Sequence, residues 1–564
     1  MASLTSMIGI LLKGSRTILL VAVFAGLVGG LSGAGLVALV NTALSHDSHS
    51  TTAIGGWFAG ICLLFVLARI ASSSMILRLG ENAVFELRLR LSRQILNAPF
   101  RRLQELGAPR LLASLTEDIS TISEVFAAIP WLCINGAVVL GCLVYLGWLS
   151  WRVFLFVIVF TALGIVIFFA LNHRAVRALR IAREHDGELY SHFRGLTEGV
   201  KELKLHRLRR EAFLSEALKA TATACRRYRI GGETIFIHAA NWSYGLFYGL
   251  IGLILFALPA WQHLAGETLS GSILAILFMM GPLSGLLDTL PSLSRASVAF
   301  AKVNALEKEL DSHVVSEVGI RPYIQPPPVT LELVNVTHRY HRDLEGTDFK
   351  LGPLDFSLHP GELIFLIGGN GSGKTTLAFL LVGLYVPESG ELRLNGEPVT
   401  DSNRDGYREH FSAVFSDFYL FDHLFGVPSG LEQKGREYLV RFQLDHKVQI
   451  KNGAFSTTEL SQGQRKRLAL LTAYLEDRPI YVFDEWAADQ DPLFKKLFYT
   501  TLLPDLKARG KTIVVITHDD QYFHVADRCI KLESGRFAEY RPSEPLSDSM
   551  TSAGVRAGSS PLTT

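Results

Sequence analysis

Residues 368–375, Gly368-Gly369-Asn370-Gly371-Ser372-Gly373-Lys374-Thr375, carry glycines, a lysine and a threonine at the G-x-x-x-x-G-K-[ST] spacing, which suits phosphate chemistry. A glycine-rich turn lets backbone N–H groups close around phosphate oxygens, and a helix opening at Thr376 adds the field of its N-terminus. In that arrangement Lys374 reaches the β- and γ-phosphates of ATP, and Thr375 places its hydroxyl on Mg²⁺. A second group of chemical residues, Asp484-Glu485, ends the apolar run Ile480-Tyr481-Val482-Phe483 about 110 residues further on. Asp484 is placed to help hold Mg²⁺, and Glu485 to orient and polarise the water that attacks the γ-phosphate.

Those residues need a scaffold, and the surrounding pattern supplies one. Leu363–Ile367 reads as a buried strand and Thr376–Leu381 as a helix, the strand–turn–helix frame that a phosphate loop requires. From about residue 329, β-rich runs (329–336, 363–367, 479–483, 512–516) alternate with helical ones, which implies a mostly parallel sheet. A proline-marked linker, 311–328, precedes this α/β domain of residues 329–540, and a Ser/Thr/Gly-rich tail, 541–564, follows it and is expected to be disordered.

Upstream the chain changes character. Apolar residues make up 49% of the 564 and charged residues 19%, and the mean hydropathy is positive, as suits a chain that is part membrane span. Six stretches reach the roughly 20 apolar residues a bilayer-crossing helix needs: about 17–43, 54–77, 126–149, 152–172, 234–261 and 268–291. The first is long, glycine-rich and followed at once by another span, so it reads as a retained helix and not a signal peptide. The short loops 45–53 and 262–267 carry no Lys or Arg, whereas 78–125 and 172–233 are arginine-rich. By the positive-inside rule the two long loops, both termini and the nucleotide domain are cytoplasmic. Each long loop is amphipathic at helical spacing, so the membrane helices are expected to continue into the cytoplasm and turn back near Gln104–Leu111 and Tyr190–Gly199, where they could touch the nucleotide domain; helices lying on the bilayer are the alternative. A net charge of +2 gives no case for nucleic acid, and the five cysteines lack paired or metal-like spacing.

Leu460-Ser461-Gln462-Gly463-Gln464 closely resembles the LSGGQ signature of ATP-binding-cassette (ABC) proteins, with Gln462 in place of the first glycine. The resemblance implies that the signature of one cassette closes over ATP held by the phosphate loop of a second. Ser461 and Gly463 would then offer a hydroxyl and a backbone N–H to the γ-phosphate, at the start of a helix running from Gln464. It further implies that Tyr340 stacks on adenine, although a core tyrosine fits there too. Asp491 would lie in the loop that communicates between cassettes, and His518 in Thr517-His518-Asp519 would contact the γ-phosphate. One position departs from the family: Ser416 stands where a glutamine usually approaches the metal, with Asp417 beside it.

Fold and function follow as implications of that resemblance. The fold class is multi-domain: a six-span α-helical membrane domain, residues 1–310, of the type I exporter kind, followed by an α/β nucleotide-binding domain. One cassette per chain implies a second chain, a homodimer being simplest and a heterodimer the alternative. Phe411–Phe418, Leu460–Ala469 and Tyr481–Pro492 look most like the bacterial cyclic-peptide and siderophore exporters, typified by the syringomycin and pyoverdine transport proteins. That branch implies an amphipathic cargo, a nonribosomal cyclic lipopeptide or peptide siderophore, carried across the inner membrane from cytoplasm to periplasm through surrounding inner-membrane lipid, with an outer-membrane efflux partner conceivable beyond it. Candidate cargo residues are His238, Asn241, Trp242, Tyr244, Phe247 and Tyr248 in span five, and Met279, Met280 and Asp288 in span six, although aromatic residues in spans often serve helix contacts alone. A lipid flippase of the same architecture is the nearest rival. A non-transporting ATP-dependent membrane regulator, kept open by Ser416, is another.

Overall fold

In the computed structural model, residues 16–45, 51–257, 266–310, 329–342, 347–427 and 430–538 are described; the linker 311–328 and the tail 541–564 lie outside them. The chain divides into two compact units, one of Met1–Leu96 with Gly107–Asp311, the other of Asn97–Leu106 with Ser312–Thr564.

The first unit is helical. Among the described residues six helices are long and apolar enough to cross a membrane: Arg16–Leu44, Ala53–Asn97, Ala108–Leu149, Trp151–Glu198, Arg207–Ala257 and Gly266–Leu310. Their main segments are α1 (Arg16–Ser45), α2 (Thr51–Asn97), α4 (Ile119–Leu149), α5 (Trp151–Glu198), α6 (Lys219–Gly252) and α7 (Gly266–Leu310); the short α3 (Phe100–Leu106) belongs to the second unit. At 1.5 Å per residue the 48 residues of α5 extend about 70 Å, more than twice the roughly 30 Å of a hydrocarbon core. α7 carries span six on through Pro282 and Pro291 to Leu310, well past the apolar stretch that ends near residue 291.

Close backbone approach and a few polar clamps hold this unit together, as expected where lipid and helix are equally apolar. A Cβ on Gly30 would lie 2.3 Å from the Ala137 Cβ, so only glycine lets α1 and α4 meet at that point. Buried Asn41 donates to the Tyr145 hydroxyl (3.1 Å) and the Glu267 carbonyl (3.2 Å), and accepts from Ser270 (2.7 Å), joining α1, α4 and α7. Several arginines of the long loops have carboxylate partners: Arg90 with Glu307 (3.2 Å), Arg110 with Glu309 (3.0 Å) and Arg229 with Asp186 (2.7 Å). Of the candidate cargo residues, Phe247 and Met279 are buried in the core formed with Val138, Cys142 and Ile254, which removes them from any cargo surface within this unit. Trp242, Tyr244 and Tyr248 are exposed.

The second unit carries twelve described strands in three sheets. β1 (Leu331–Arg342), β2 (Thr347–Leu358), β4 (Ser389–Leu394) and β5 (Glu397–Pro398) pair antiparallel in the order β2-β1-β4-β5. β3 (Leu363–Ile367), β6 (Phe411–Val414), β9 (Ile480–Asp484), β10 (Thr512–Ile516), β11 (Arg528–Glu533) and β12 (Arg536–Ala538) form a sheet of order β12-β11-β3-β10-β9-β6, parallel except at its β11–β12 edge. A two-stranded ribbon, β7 (Ile450–Lys451) with β8 (Ala454–Phe455), completes the set. Every residue of β3, β9 and β10 is buried, which explains their unbroken apolar runs, because a central parallel strand is covered on both faces. Helices α8 (Lys374–Leu381), α9 (Gln462–Glu476) and α10 (Pro492–Leu497) start beside the chemical residues.

Candidate functional site

The central strands end together, and the reactive side chains stand at their carboxyl ends, where ligands bind in open α/β sheets. β3 runs into the glycine loop, β9 ends at Asp484, and β10 is followed by Thr517-His518-Asp519. The loop's turn is forced. Gly368 has φ 150°, and a Cβ there would lie 2.2 Å from the Leu532 carbonyl oxygen. Lys374 is buried, its Nζ donating to the Gly368 and Gly369 carbonyls at 2.9 Å each, and burial pulls its pKa below the ordinary lysine value.

The Thr375 hydroxyl donates to Asp484 Oδ2 at 3.1 Å, while Asp484 Oδ1 is buried with no hydrogen-bond partner among the described residues. Burial, then the charges of Glu485 and Asp417, push the Asp484 carboxyl up to about 6 against the Thr375 hydrogen bond. An orphaned carboxylate oxygen beside a threonine hydroxyl is the oxygen set that a hard cation such as Mg²⁺ takes, so these residues fit the metal. Glu485 adopts a left-handed conformation, φ 48°, uncommon for a residue with a side chain and typical of functional turns. Its N–H donates to the Ile516 carbonyl (3.1 Å), its own carbonyl accepts from Lys466 Nζ (3.0 Å), and its Oε1 lies 3.3 Å from His518 Nε2.

Sequence reasoning missed the residues that hold this geometry. Tyr499 bonds both sides of the histidine, its hydroxyl 2.6 Å from Thr517 Oγ1 and 3.0 Å from Asp519 Oδ2, while Lys495 pairs with Asp519 at 2.8 Å. Lys466, buried in α9, bridges the Glu485 carbonyl to Asp489 (2.7 Å). None of them has a local motif; their spacing from His518 or Glu485 becomes meaningful only once the strands are side by side.

A cavity of 470 Å³ opens over the loop, lined by Asn370, Gly371, Gly373, Lys374, Thr375, Thr376 and Glu485, with Phe349, Phe379, Tyr385 and Gln104 as further walls. Gly368, Gly369 and Ser372 shape the turn without lining it. Tyr340 lies on β1 with Phe349 as its cross-strand partner; its side chain is outside the described part. Ser461, Gly463 and Gln464 do not line the cavity of their own chain. The signature helix α9 begins at Gln462 with Ser461 as its cap, two residues earlier than expected. Gln462, the departure from the family signature, donates to Asp489 (3.1 Å), and Gln490 donates to the Gly463 carbonyl (3.0 Å), tying the signature to the loop after Glu485. Asp491 caps α10 by accepting from the Phe494 N–H (2.9 Å) and pairs with Arg467. Ser416 is exposed and is not among the residues lining the cavity, while the charge of Asp417 beside it acts on Asp484.

The chain is similar in sequence to known proteins. Residues 16–287 match the ABC transporter transmembrane region, and residues 351–488 match the ABC transporter family. The chain is 38% identical to the ATP-binding protein SyrD of Pseudomonas syringae pv. syringae over 90% of its own length and 92% of the relative's. It is 27% identical to an ATP-dependent lipid A-core flippase of Alkalilimnicola ehrlichii (90% of this chain, 87% of the relative). A further lipid A-core flippase, of Ralstonia nicotianae, is 25% identical over 87% of this chain and 84% of the relative.

Proposed function

The chain belongs to the ABC transporter family, an ATP-hydrolysing multi-pass membrane protein, and from that premise we propose that it exports a cyclic lipopeptide or peptide siderophore from cytoplasm to periplasm across the inner membrane. The observation that carries the energy-coupling half is one cavity walled by Lys374, Thr375 and Glu485, with Asp484 bonded to Thr375 and His518 beside Glu485, on a chain whose described residues include six membrane-length helices. The arginine-rich loops support, by the positive-inside rule, an orientation with both termini and the nucleotide unit on the cytoplasmic side.

The loop N–H groups and Lys374 hold the phosphates of ATP, and Mg²⁺ held at Thr375 and Asp484 would neutralise their charge. Glu485 takes a hydrogen bond from the attacking water and draws off its proton as the new P–O bond forms and the β–γ bridge breaks, releasing ADP and phosphate. His518, 3.3 Å from the Glu485 carboxylate, orients it and donates to the γ-phosphate. Because Ser461, Gly463 and Gln464 stand away from their own cavity, a second copy of the chain is the natural source of the signature, giving a two-fold dimer with two composite sites. ATP binding to the closed pair would favour an outward-open membrane domain, and hydrolysis would reset it.

The cargo class rests on the residue runs around 411–418, 460–469 and 481–492, and on the exposed aromatic residues Trp242, Tyr244 and Tyr248 of α6, a type that suits a large amphipathic peptide. The lipid A-core flippases among the relatives favour lipid as a second reading. Cargo-stimulated ATP hydrolysis in lipid nanodiscs separates the two. Stimulation by a cyclic lipopeptide, and not by a lipid A-core lipid, supports the peptide reading; the reverse pattern replaces it with the flippase.

A further inference from the structure

Among the walls of the phosphate cavity, Gln104 has no place in the sequence motifs: it precedes Lys374 by 270 positions and sits on α3, the short helix that follows the second membrane-length helix. Residues Asn97–Leu106 nevertheless form part of the same compact unit as the nucleotide residues.

The seat of α3 is specific. The Phe100 ring packs edge-on against Phe379 (5.3 Å) and beside Tyr385 (6.1 Å), and Arg101 pairs with Glu388 at 3.2 Å. Phe379 is on α8, the helix whose first turn presents Lys374 and Thr375, so α3 rests on the element that holds the phosphates. Tyr385 in turn stacks on buried His338 at 4.8 Å. From this fixed position the Tyr385 hydroxyl donates to Gln104 Oε1. The carbonyl end of the carboxamide is thereby committed. Its amide nitrogen, with two N–H donors, has no hydrogen-bond partner among the described residues, and the side chain lines the cavity.

We propose that Gln104 is a nucleotide-contacting residue: Tyr385 fixes its carboxamide so that the amide N–H groups donate to a phosphate or ribose oxygen of the bound nucleotide. A helix anchored next to a membrane-length segment thereby touches the ligand itself and not merely the protein around it. An amide suits the position because it offers two donors without a charge that ligand binding would have to strip of water. The proposal rests on the nucleotide reading of the cavity and is independent of the cargo.

The test is equilibrium binding of ATP, ADP and inorganic tripolyphosphate to the full-length transporter in detergent, by calorimetry. Gln104→Ala is expected to weaken ATP binding roughly three- to ten-fold, the usual size of one lost hydrogen bond. Gln104→Glu is expected to weaken it further by setting a carboxylate beside the phosphates. Loss for both ATP and tripolyphosphate assigns the contact to phosphate; loss for ATP and ADP alone assigns it to ribose. Two controls keep the outcome decisive. Arg101→Ala breaks the Arg101–Glu388 pair outside the cavity; if it costs as much affinity as Gln104→Ala, the residue only seats the helix and the proposal fails. Lys374→Ala must abolish binding; if it does not, the cavity reading itself is wrong. Wild-type affinity in both Gln104 variants, with Lys374→Ala inactive, overturns the contact and leaves the site intact.

Discussion

Glu485 is where the chemistry concentrates, and its environment fixes what its replacement should do. The carboxylate lies 3.3 Å from His518 on a left-handed backbone turn tied down by Lys466 and Ile516. Glu485→Gln keeps shape and removes the base, so hydrolysis is expected to fall by about 10²–10⁴-fold while ATP still binds; a turnover measurement with a parallel binding titration checks this. Tyr499 acts through the histidine. Tyr499→Phe removes bonds to Thr517 and Asp519 from a buried site, and is expected to lower kcat several-fold with KM nearly unchanged, because the phosphates are held elsewhere. A rise in KM without a change in kcat would assign Tyr499 to binding instead. Of these residues, Glu485 and Lys374 were legible from local spacing alone. Tyr499, Lys466 and Gln104 were not, because each acts on a partner 18 or more positions away, brought near only by the folded sheet or by a distant segment of chain.

Among the elements, the central strands read clearly because a strand covered on both faces must be apolar throughout, and β3, β9 and β10 are. The antiparallel sheet did not read in full. β2 mixes Asp348, Lys350 and Asp355 with its apolar residues, and β4 is half exposed, so neither forms the unbroken run that marked the others. The length of α7 was also hidden, because a change from apolar to charged composition near Arg295 and two prolines resemble an ending; membrane helices tolerate such prolines. His338 on β1 supports a prediction at this scale. Buried against Tyr385, its pKa is lowered from the ordinary 6.5, first by burial and then by Arg101, with Glu388 opposing. The unfolded chain therefore binds the proton more readily, and folding stability is lost as pH falls below 6.5 toward the lowered folded value. Thermal melts across that range should show a steeper acid loss for the wild type than for His338→Phe, which keeps an aromatic ring and removes the titration. Parallel curves would mean that His338 does not contribute.

For the whole molecule, the central question is whether one chain completes another's site. If the signature of one copy serves the cavity of its partner, Lys374→Ala and Ser461→Arg homodimers each have two broken sites. A mixed dimer of the two variants places both defects in one site and leaves the other intact. ATP hydrolysis well above that of either homodimer is expected from the mixed pair; activity no better than the parents' would mean that each chain works on its own. The six spans and the nucleotide domain were legible as separate blocks from hydropathy and motif, since each is governed by its own solvent. Cargo was not, because the exposed aromatic residues of α6 carry no charge pattern that would name a ligand.

The most direct test of the account is ATP-dependent accumulation of a cyclic lipopeptide in inside-out membrane vesicles carrying either the wild-type chain or Glu485→Gln. Accumulation by the wild type and not by the variant is the predicted result, since it requires a cytoplasmic nucleotide unit, hydrolysis at Glu485 and outward transport together. Equal accumulation by both chains, or none by a wild type that hydrolyses ATP normally in the same vesicles, would contradict it.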